Sequence, residues 1–390
     1  MKGVKLQMIL TKGQEEAIKT CVQRFKSKLP YTTITGPAGS GKSSVVPYIV
    51  KALGIHDDEV VFATLTGKAS LVLREKGCEN AMTLHKLLYI PKKIKDTDDV
   101  EFIARDYLEN NPKLIVVDEA SMVSKDIFDL LLSHKVHIIF LGDNFQLPAI
   151  GDNANILDNP HVVLTEITRQ ALDSPIIRLS MDIRAGKPLT YGGPKEARII
   201  PRSKVSDKLL LGADIILCGR NTTRRQLNTE LRKLKWGDQF QEGPINGDKL
   251  ICLKNCWQIT DQEDEVPLIN GSIGTISRIH TQETKLLKPK LTARFADELG
   301  NVFDKTKFNI DYKLLTTGEP TVNSGNFRDF YKVQRPVEFD YGYCITCHKA
   351  QGSQWDKVLV FAEQMGDKEY FYKWLYTSCT RAVEKCVIVI

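Results

Sequence analysis

The sequence predicts an α/β fold of two parallel-sheet domains, the second interrupted by a small all-β insertion. Three observations carry this expectation. Short apolar runs rich in Val, Ile and Thr alternate with amphipathic stretches over residues 31–142. The alternation resumes at 214–234 and again from 341 to 390. Between about 241 and 339 it gives way to short strand-like runs and turn signals, such as Pro244-Ile-Asn-Gly-Asp248 and Asp297-Glu-Leu-Gly-Asn301. Strand–helix alternation implies right-handed crossovers and a sheet covered on both faces.

The individual elements follow from local signals. Residues 31–35, 59–64, 113–118 and 137–142 read as buried strands, since a strand covered on both faces is apolar throughout. Helices are expected at 42–53, 68–76 and 124–132, the first two closed by Gly54 and Gly77, because glycine just past the last apolar turn stops a helix. A further strand at 214–219 is followed by a helix at 221–234. The expected domains are therefore 1–165, 166–240 plus 340–390, and the insertion at 241–339. A polar interruption at about 89–110, centred on residues 92–106, reads as a short hairpin or a surface loop.

Composition excludes little. Of 390 residues, 42% are hydrophobic and 26% charged, and the formal net charge is +6. That balance permits nucleic acid as a partner without requiring it. No apolar run approaches the roughly 18 residues of a membrane span. The first residues lack the pattern of a signal peptide, so a cytoplasmic location is the default expectation. The nine cysteines read as reduced core residues. Cys344-Ile-Thr-Cys347-His348 matches a haem-attachment pattern and half a zinc site. Haem attachment requires export, and zinc a second pair of ligands, for which Cys252 and Cys256 are the candidates. Packing is the preferred reading.

Gly36-Pro37-Ala38-Gly39-Ser40-Gly41-Lys42-Ser43-Ser44 contains the full G-x-x-x-x-G-K-[ST] pattern between a strand and a helix. Glycines let backbone N–H groups curl around phosphate oxygens, and the helix N-terminus adds positive potential. Lys42 is expected on the β- and γ-phosphates of ATP and the Ser43 hydroxyl on Mg²⁺. A second apolar strand ends in Asp118-Glu119. Asp118 would complete the Mg²⁺ shell and Glu119 would polarise an attacking water.

Further motifs resemble those of superfamily 1 DNA helicases, in particular the class of RecD and the phage Dda helicase. They run in the family's order over nearly the whole chain: Leu10-Thr11-Lys-Gly-Gln14, Thr64-Leu-Thr66-Gly67-Lys68-Ala69, Thr83-Leu-His85, Gly142-Asp143-Asn-Phe145-Gln146-Leu147-Pro148, Leu164-Thr165-Glu166-Ile-Thr-Arg169-Gln170, Ile345-Thr346-Cys347-His348-Lys349-Ala350-Gln351-Gly352-Ser353 and Leu375-Tyr376-Thr377-Ser378-Cys379-Thr380-Arg381-Ala382. The resemblance implies two RecA-like P-loop domains, the second carrying a small β-barrel, with a strand-separating pin at the polar interruption. Phe102 and Tyr107 are the only aromatic wedges evident there.

It also implies roles. Gln14 would bind the adenine edge, and Gly352 would join the nucleotide site. Gln146 would sense the γ-phosphate. Arg169 and Arg381 would stabilise its developing charge, an effect worth about 10³–10⁵-fold in rate. DNA contacts are implied for Thr64, Thr66, Lys68, Thr83, His85, Asn270, Thr346 and His348, while Phe145 either stacks on a base or packs in the core. The implied activity is ATP-dependent unwinding by a monomer moving 5′ to 3′ on single-stranded DNA and at junctions with duplex. A translocase that does not separate strands and a nucleotide-gated scaffold are the alternatives.

Overall fold

The computed structural model describes residues 9–75, 77–93, 100–148, 151, 153–261, 267–282, 290–298, 300–304, 309–320 and 336–390. They divide into two compact units. One comprises 1–90, 103–205 and 350–390, the other 91–102 and 206–349.

The first unit is built on a six-stranded parallel sheet in the order 81–83, 60–64, 114–117, 137–142, 31–35, 162–163. The strands and helices anticipated from the sequence are present within one residue or so: Tyr31–Thr35, Val60–Thr64, Leu114–Val117 and His137–Gly142, with helices Lys42–Leu53, Gly67–Glu75 and Lys125–Ser133. Successive strand residues face opposite ways. Ile34, Val60, Phe62, Leu114, Val116, Ile139 and Leu141 pack with Ala17, Cys21, Val45 and Ile49 of the helices Lys12–Lys26 and Lys42–Leu53. Val61, Ala63, Ile115, Val117, Ile138 and Phe140 pack on the other side with Leu84, Leu88, Ile127 and Leu131. Each such Leu, Ile, Val or Phe contributes about 1.5–3 kcal/mol through burial, which is why Val60–Ala63, Leu114–Val117 and Ile138–Leu141 are wholly apolar.

The same unit holds a second group of parallel strands, Ala197–Ile200, Ala382–Val389 and Trp355–Phe361. Helices Pro175–Arg184 and Lys368–Cys379 pack on each other and on Ala382–Val389. Residues 166–205 and 350–390 fall in the same compact unit as the P-loop sheet. The expected interruption is a hairpin of Tyr89–Lys93 with Val100–Ala104. Its tip, 94–99, lies outside the described residues. At its foot Tyr107 is 84% exposed.

In the second unit Ile215–Cys218 pairs in parallel with Cys344–Thr346, followed by the helix Asn221–Trp236. The insertion is an antiparallel sheet in the order 302–303, 290–297, 273–282, 249–252, 339–341, with Asn309–Ile310 also on Lys290–Asp297. Among the described residues it is open, not the closed barrel expected. Its end strands, Val302–Phe303 and Phe339–Tyr341, are two and three residues long and do not pair with each other. The insertion also contains a short helix, Tyr312–Thr317, capped by the Asp311 side chain.

Asp248 joins the insertion to the helix before it. Fully buried, its carboxylate accepts from Arg232, from Trp236 Nε1 at 2.8 Å, from the Ile245 N–H at 2.7 Å and from the Tyr343 hydroxyl at 2.9 Å. Arg232, only 3% exposed, also lies over the Tyr341 ring. Removing one member of a buried ion pair strands the other charge, at about 3–5 kcal/mol. Asp248→Ala is therefore expected to lower stability by about that much, seen as an earlier urea midpoint of circular dichroism; an unchanged midpoint would show that the pair is dispensable.

Candidate active site

The P-loop leaves the edge of the first sheet at Thr35. Gly36 N donates to Gly142 O at 3.2 Å, and Leu164 N donates to Thr35 O at 2.7 Å. Gly39 and Gly41 have φ of +81° and +77°, a region that side chains disfavour. A Cβ on Gly41 would strike Gln14 Nε2, and one on Gly39 would lie 2.7 Å from Ala171 Cβ. Lys42 Nζ donates to Gly36 O at 2.6 Å and Pro37 O at 3.0 Å. Burial lowers its pKa, opposed by the charges of Asp143 and Asp118. Ser40 Oγ is buried without a protein partner, and Ser44 is exposed on the first turn of the helix. The loop thus gathers backbone N–H groups, one hydroxyl and an ammonium, the kind of donor set that phosphate takes.

Two acids close the site from the end of Leu114–Val117, with His137–Gly142 lying between that strand and the P-loop strand. Ser43 Oγ donates to Asp118 Oδ2 at 3.2 Å. Paired hydroxyl and carboxylate oxygens suit Mg²⁺, which takes few protein ligands and completes its octahedron with water and phosphate. Glu119 has φ of +57°, a strained conformation for a side-chain-bearing residue and one that clusters at functional sites. Burial raises its pKa, opposed first by the charge of Arg381, so its carboxylate is a stronger proton acceptor than a solvated one.

Arg381 faces this acid. It is 3% exposed, and its Nη1 lies 3.4 Å from Glu119 Oε1. Its Nε and Nη2 donate to Thr377 O and Thr380 Oγ1, each at 3.1 Å. Arg169 is the first residue of the helix Arg169–Leu172. Its side chain lies outside the described residues, but the preceding Thr168 N–H donates to Gly39 O of the P-loop at 3.0 Å.

The loop after Gly142 is fixed from two directions. Leu147 N donates to Thr377 Oγ1 at 3.0 Å, and Gln351 Nε2 donates to Leu147 O at 2.7 Å. Both bonds are buried. Asp143, 2% exposed, accepts from the Tyr376 hydroxyl, Arg184 Nη1 and the Phe145 N–H. Tyr376 in turn accepts from Ala38 N of the P-loop at 2.8 Å. Burial raises the Tyr376 pKa well above its ordinary value. Asp143, Arg184, Gln351, Tyr376 and Thr377 were assigned no role from sequence. Asp143, Gln351, Tyr376 and Thr377 lay within recognised motifs, whereas Arg184 lies outside them all and carried no local signal.

Gln14, Thr64, Phe145 and Gln146 were also named from sequence. Gln14 is fully buried; its Oε1 accepts from Thr11 N and its Nε2 donates to Ser40 O. Its amide serves the helix start and the P-loop. Thr64 is 1% exposed and donates to Thr66 O, so its hydroxyl holds the turn. Phe145 packs edge-on against Tyr376 at 5.4 Å beneath Arg184. Gln146 is half-buried, and its side-chain amide has no hydrogen bond among the described residues.

The remaining residues of the first unit lie near its surface. Thr66 accepts from Ala69 N, and Lys68 lies over the Trp355 ring at 4.3 Å. Thr83 caps the helix Leu84–Leu88. His85 stacks on Tyr89, and its burial lowers its pKa. In the second unit Asn270 is exposed beside Gly271, Thr346 is 9% exposed, and His348 is half-buried with a pKa lowered by burial. Cys344 and Cys347 are fully buried, with Cys344 Sγ 3.6 Å from Cys218 Sγ.

A P-loop followed by a strand-end acid pair defines a nucleotide-binding P-loop domain. A family model described as an AAA domain matches residues 9–196, and one described as a UvrD-like helicase C-terminal domain matches 341–389. The ATP-dependent DNA helicase dda of Enterobacteria phage T4 is 30% identical over 192 residues, covering 46% of this chain and 43% of that protein. The ATP-dependent RecD2 DNA helicase of Deinococcus radiodurans is 26% identical over 381 residues, covering 90% and 46%. The chain therefore spans less than half the length of these two curated relatives. The structure of Bacteroides Pif1 bound to ssDNA shares the fold, with a TM-score of 0.52 at 18% identity over 98% of this chain and 92% of that one. The chain is thus similar to the Dda and RecD2 helicases in sequence and to Pif1 in fold. Among the described residues no helix is long and apolar enough to cross a membrane.

Gly352 tests the geometry directly. Its φ is +77°, and a Cβ there would strike Thr66 Oγ1 and lie 3.1 Å from Glu119 Oε2. Gly352→Ala is expected to lower stability by about 1–3 kcal/mol, the usual scale of such strain, and to displace Glu119. Thermal melting and a crystal structure of the variant check this; an undisturbed Glu119 at wild-type stability would contradict it.

Proposed function

We propose that this chain is an ATP-dependent DNA helicase that moves 5′ to 3′ as a monomer on single-stranded DNA and separates duplex at junctions. The observation that carries the reading is the double clamp on Leu147. It joins the loop beside the phosphate cradle to the Q-G-S and T-R-A motifs through two buried hydrogen bonds. Helicase activity in the named relatives supports the substrate, and their class supports the polarity. The β insertion is proposed to serve as the family's small β-domain and the hairpin at 89–104 as the pin.

The assigned roles combine the site's geometry with the resemblance to helicase motifs. Lys42 leaves its loop carbonyls to hold the β- and γ-phosphates. Ser43 and Asp118 would hold Mg²⁺, which would neutralise phosphate charge. Glu119 orients and deprotonates the attacking water, aided by its raised pKa. Arg381, already at Glu119, and Arg169 stabilise charge on the γ-phosphoryl group. Gln146 reports that group to the loop clamped at Leu147. Thr66, Lys68, Thr83, His85, Asn270, Thr346 and His348 are proposed to contact the DNA backbone.

Unwinding of short duplexes bearing either a 5′ or a 3′ single-stranded tail tests the reading. With ATP and Mg²⁺ the 5′-tailed duplex is expected to open and the 3′-tailed one to persist. Lys42→Ala is expected to reduce turnover about a hundredfold or more. Hydrolysis stimulated by DNA without strand separation would instead identify a translocase. No stimulation at all would leave a nucleotide-gated scaffold.

A further inference from the structure

We propose that Tyr376 is a positioning residue of the phosphate site: its hydroxyl occupies a P-loop N–H that a phosphate oxygen takes from it, so that loading of the loop is read by the end of the helix Lys368–Cys379. The proposal rests on reading the chain as an ATP-driven enzyme.

The geometry is specific. A phenol has a single hydrogen, and Tyr376 donates its own to Asp143. The oxygen's lone pairs are thereby turned toward Ala38 N, which donates to it at 2.8 Å. Ala38 lies inside the Gly36–Gly41 loop, whose backbone donors exist to meet phosphate. A charged oxygen accepts a hydrogen bond roughly twice as strong as a neutral one, so phosphate displaces the phenol. The released hydroxyl keeps Asp143 as its acceptor. The ring itself is held independently, edge-on to Phe145 at 5.4 Å and beneath Arg184 at 5.5 Å. Position is thus set by the ring, and only the hydroxyl's bond to the loop is exchangeable.

What makes the exchange consequential is the sequence that follows. Thr377, the next residue, holds Leu147 N, and Arg381, on the turn after this helix, faces Glu119. One helix end therefore touches the P-loop, the clamped loop and the acid.

Tyr376→Phe keeps the ring and removes the competitor. Equilibrium binding of a fluorescent, non-hydrolysable ATP analogue is expected to tighten about three- to tenfold, the scale of one net hydrogen bond. The maximal rate with single-stranded DNA is expected to fall, giving a lower KM and a lower kcat together. Amide hydrogen exchange over residues 36–41 without nucleotide is expected to quicken in the variant, and to equal wild type once the analogue is bound. Replacing Tyr376 with 3,5-difluorotyrosine, a weaker acceptor that preserves packing, should move affinity in the same direction by less. Unchanged or weaker binding in either variant, or unchanged exchange, would overturn the proposal. A wild-type protein that binds the analogue but hydrolyses no ATP with DNA would sink the motor reading alone.

Discussion

Much of this structure depends on the peptide of Leu147, whose N–H and C=O are both bound by side chains more than 200 residues away in sequence. A buried backbone group left without a partner costs about 1–3 kcal/mol. The Thr377 hydroxyl and the Gln351 amide remove that penalty on both sides of one residue. Through them the last forty residues join the P-loop unit. Helix Lys368–Cys379 can then bring Tyr376 to Asp143 and present Arg381 to Glu119. The clamp thus turns three separate motifs into one site.

The site itself is held in tension. Burial works against the charge on Lys42 and against ionisation of Glu119. Glu119 adopts a left-handed backbone, and Gly39, Gly41 and Gly352 supply positive φ where side chains would collide. Such strain persists only where surrounding structure enforces it. Here the enforcement comes from a parallel sheet packed on both faces, with Ile34, Val116 and Ile139 on one side and Val117, Ile138 and Phe140 on the other. A rigid core permits an edge that is chemically poised.

Much of this was legible from sequence because its signals are local. Apolar runs ending in Gly-rich or acidic residues placed the strands from Tyr31 to Gly142 and the helix at Lys42–Leu53 to within about a residue. The P-loop and the Asp118–Glu119 pair carry their own chemistry. What sequence did not show is long-range. Burial of Thr64 and Gln14 depends on neighbours that spacing does not name. Arg184 acquires its importance only from folding against Asp143, 41 residues away. That the β-sheet is open among the described residues also escaped prediction, since short strands with turn signals read alike whether a sheet closes or not.

The central claim is that the clamp on Leu147 carries communication between nucleotide and polynucleotide. Gln351→Ala removes the donor to Leu147 O and leaves the P-loop intact. ATP hydrolysis by wild type and variant, with and without single-stranded DNA, measures the link. The account predicts strong stimulation in the wild type, and in the variant similar ATP affinity with stimulation reduced roughly tenfold, the effect of about 1.4 kcal/mol. A variant stimulated as fully as wild type, or a wild type indifferent to DNA, would contradict it.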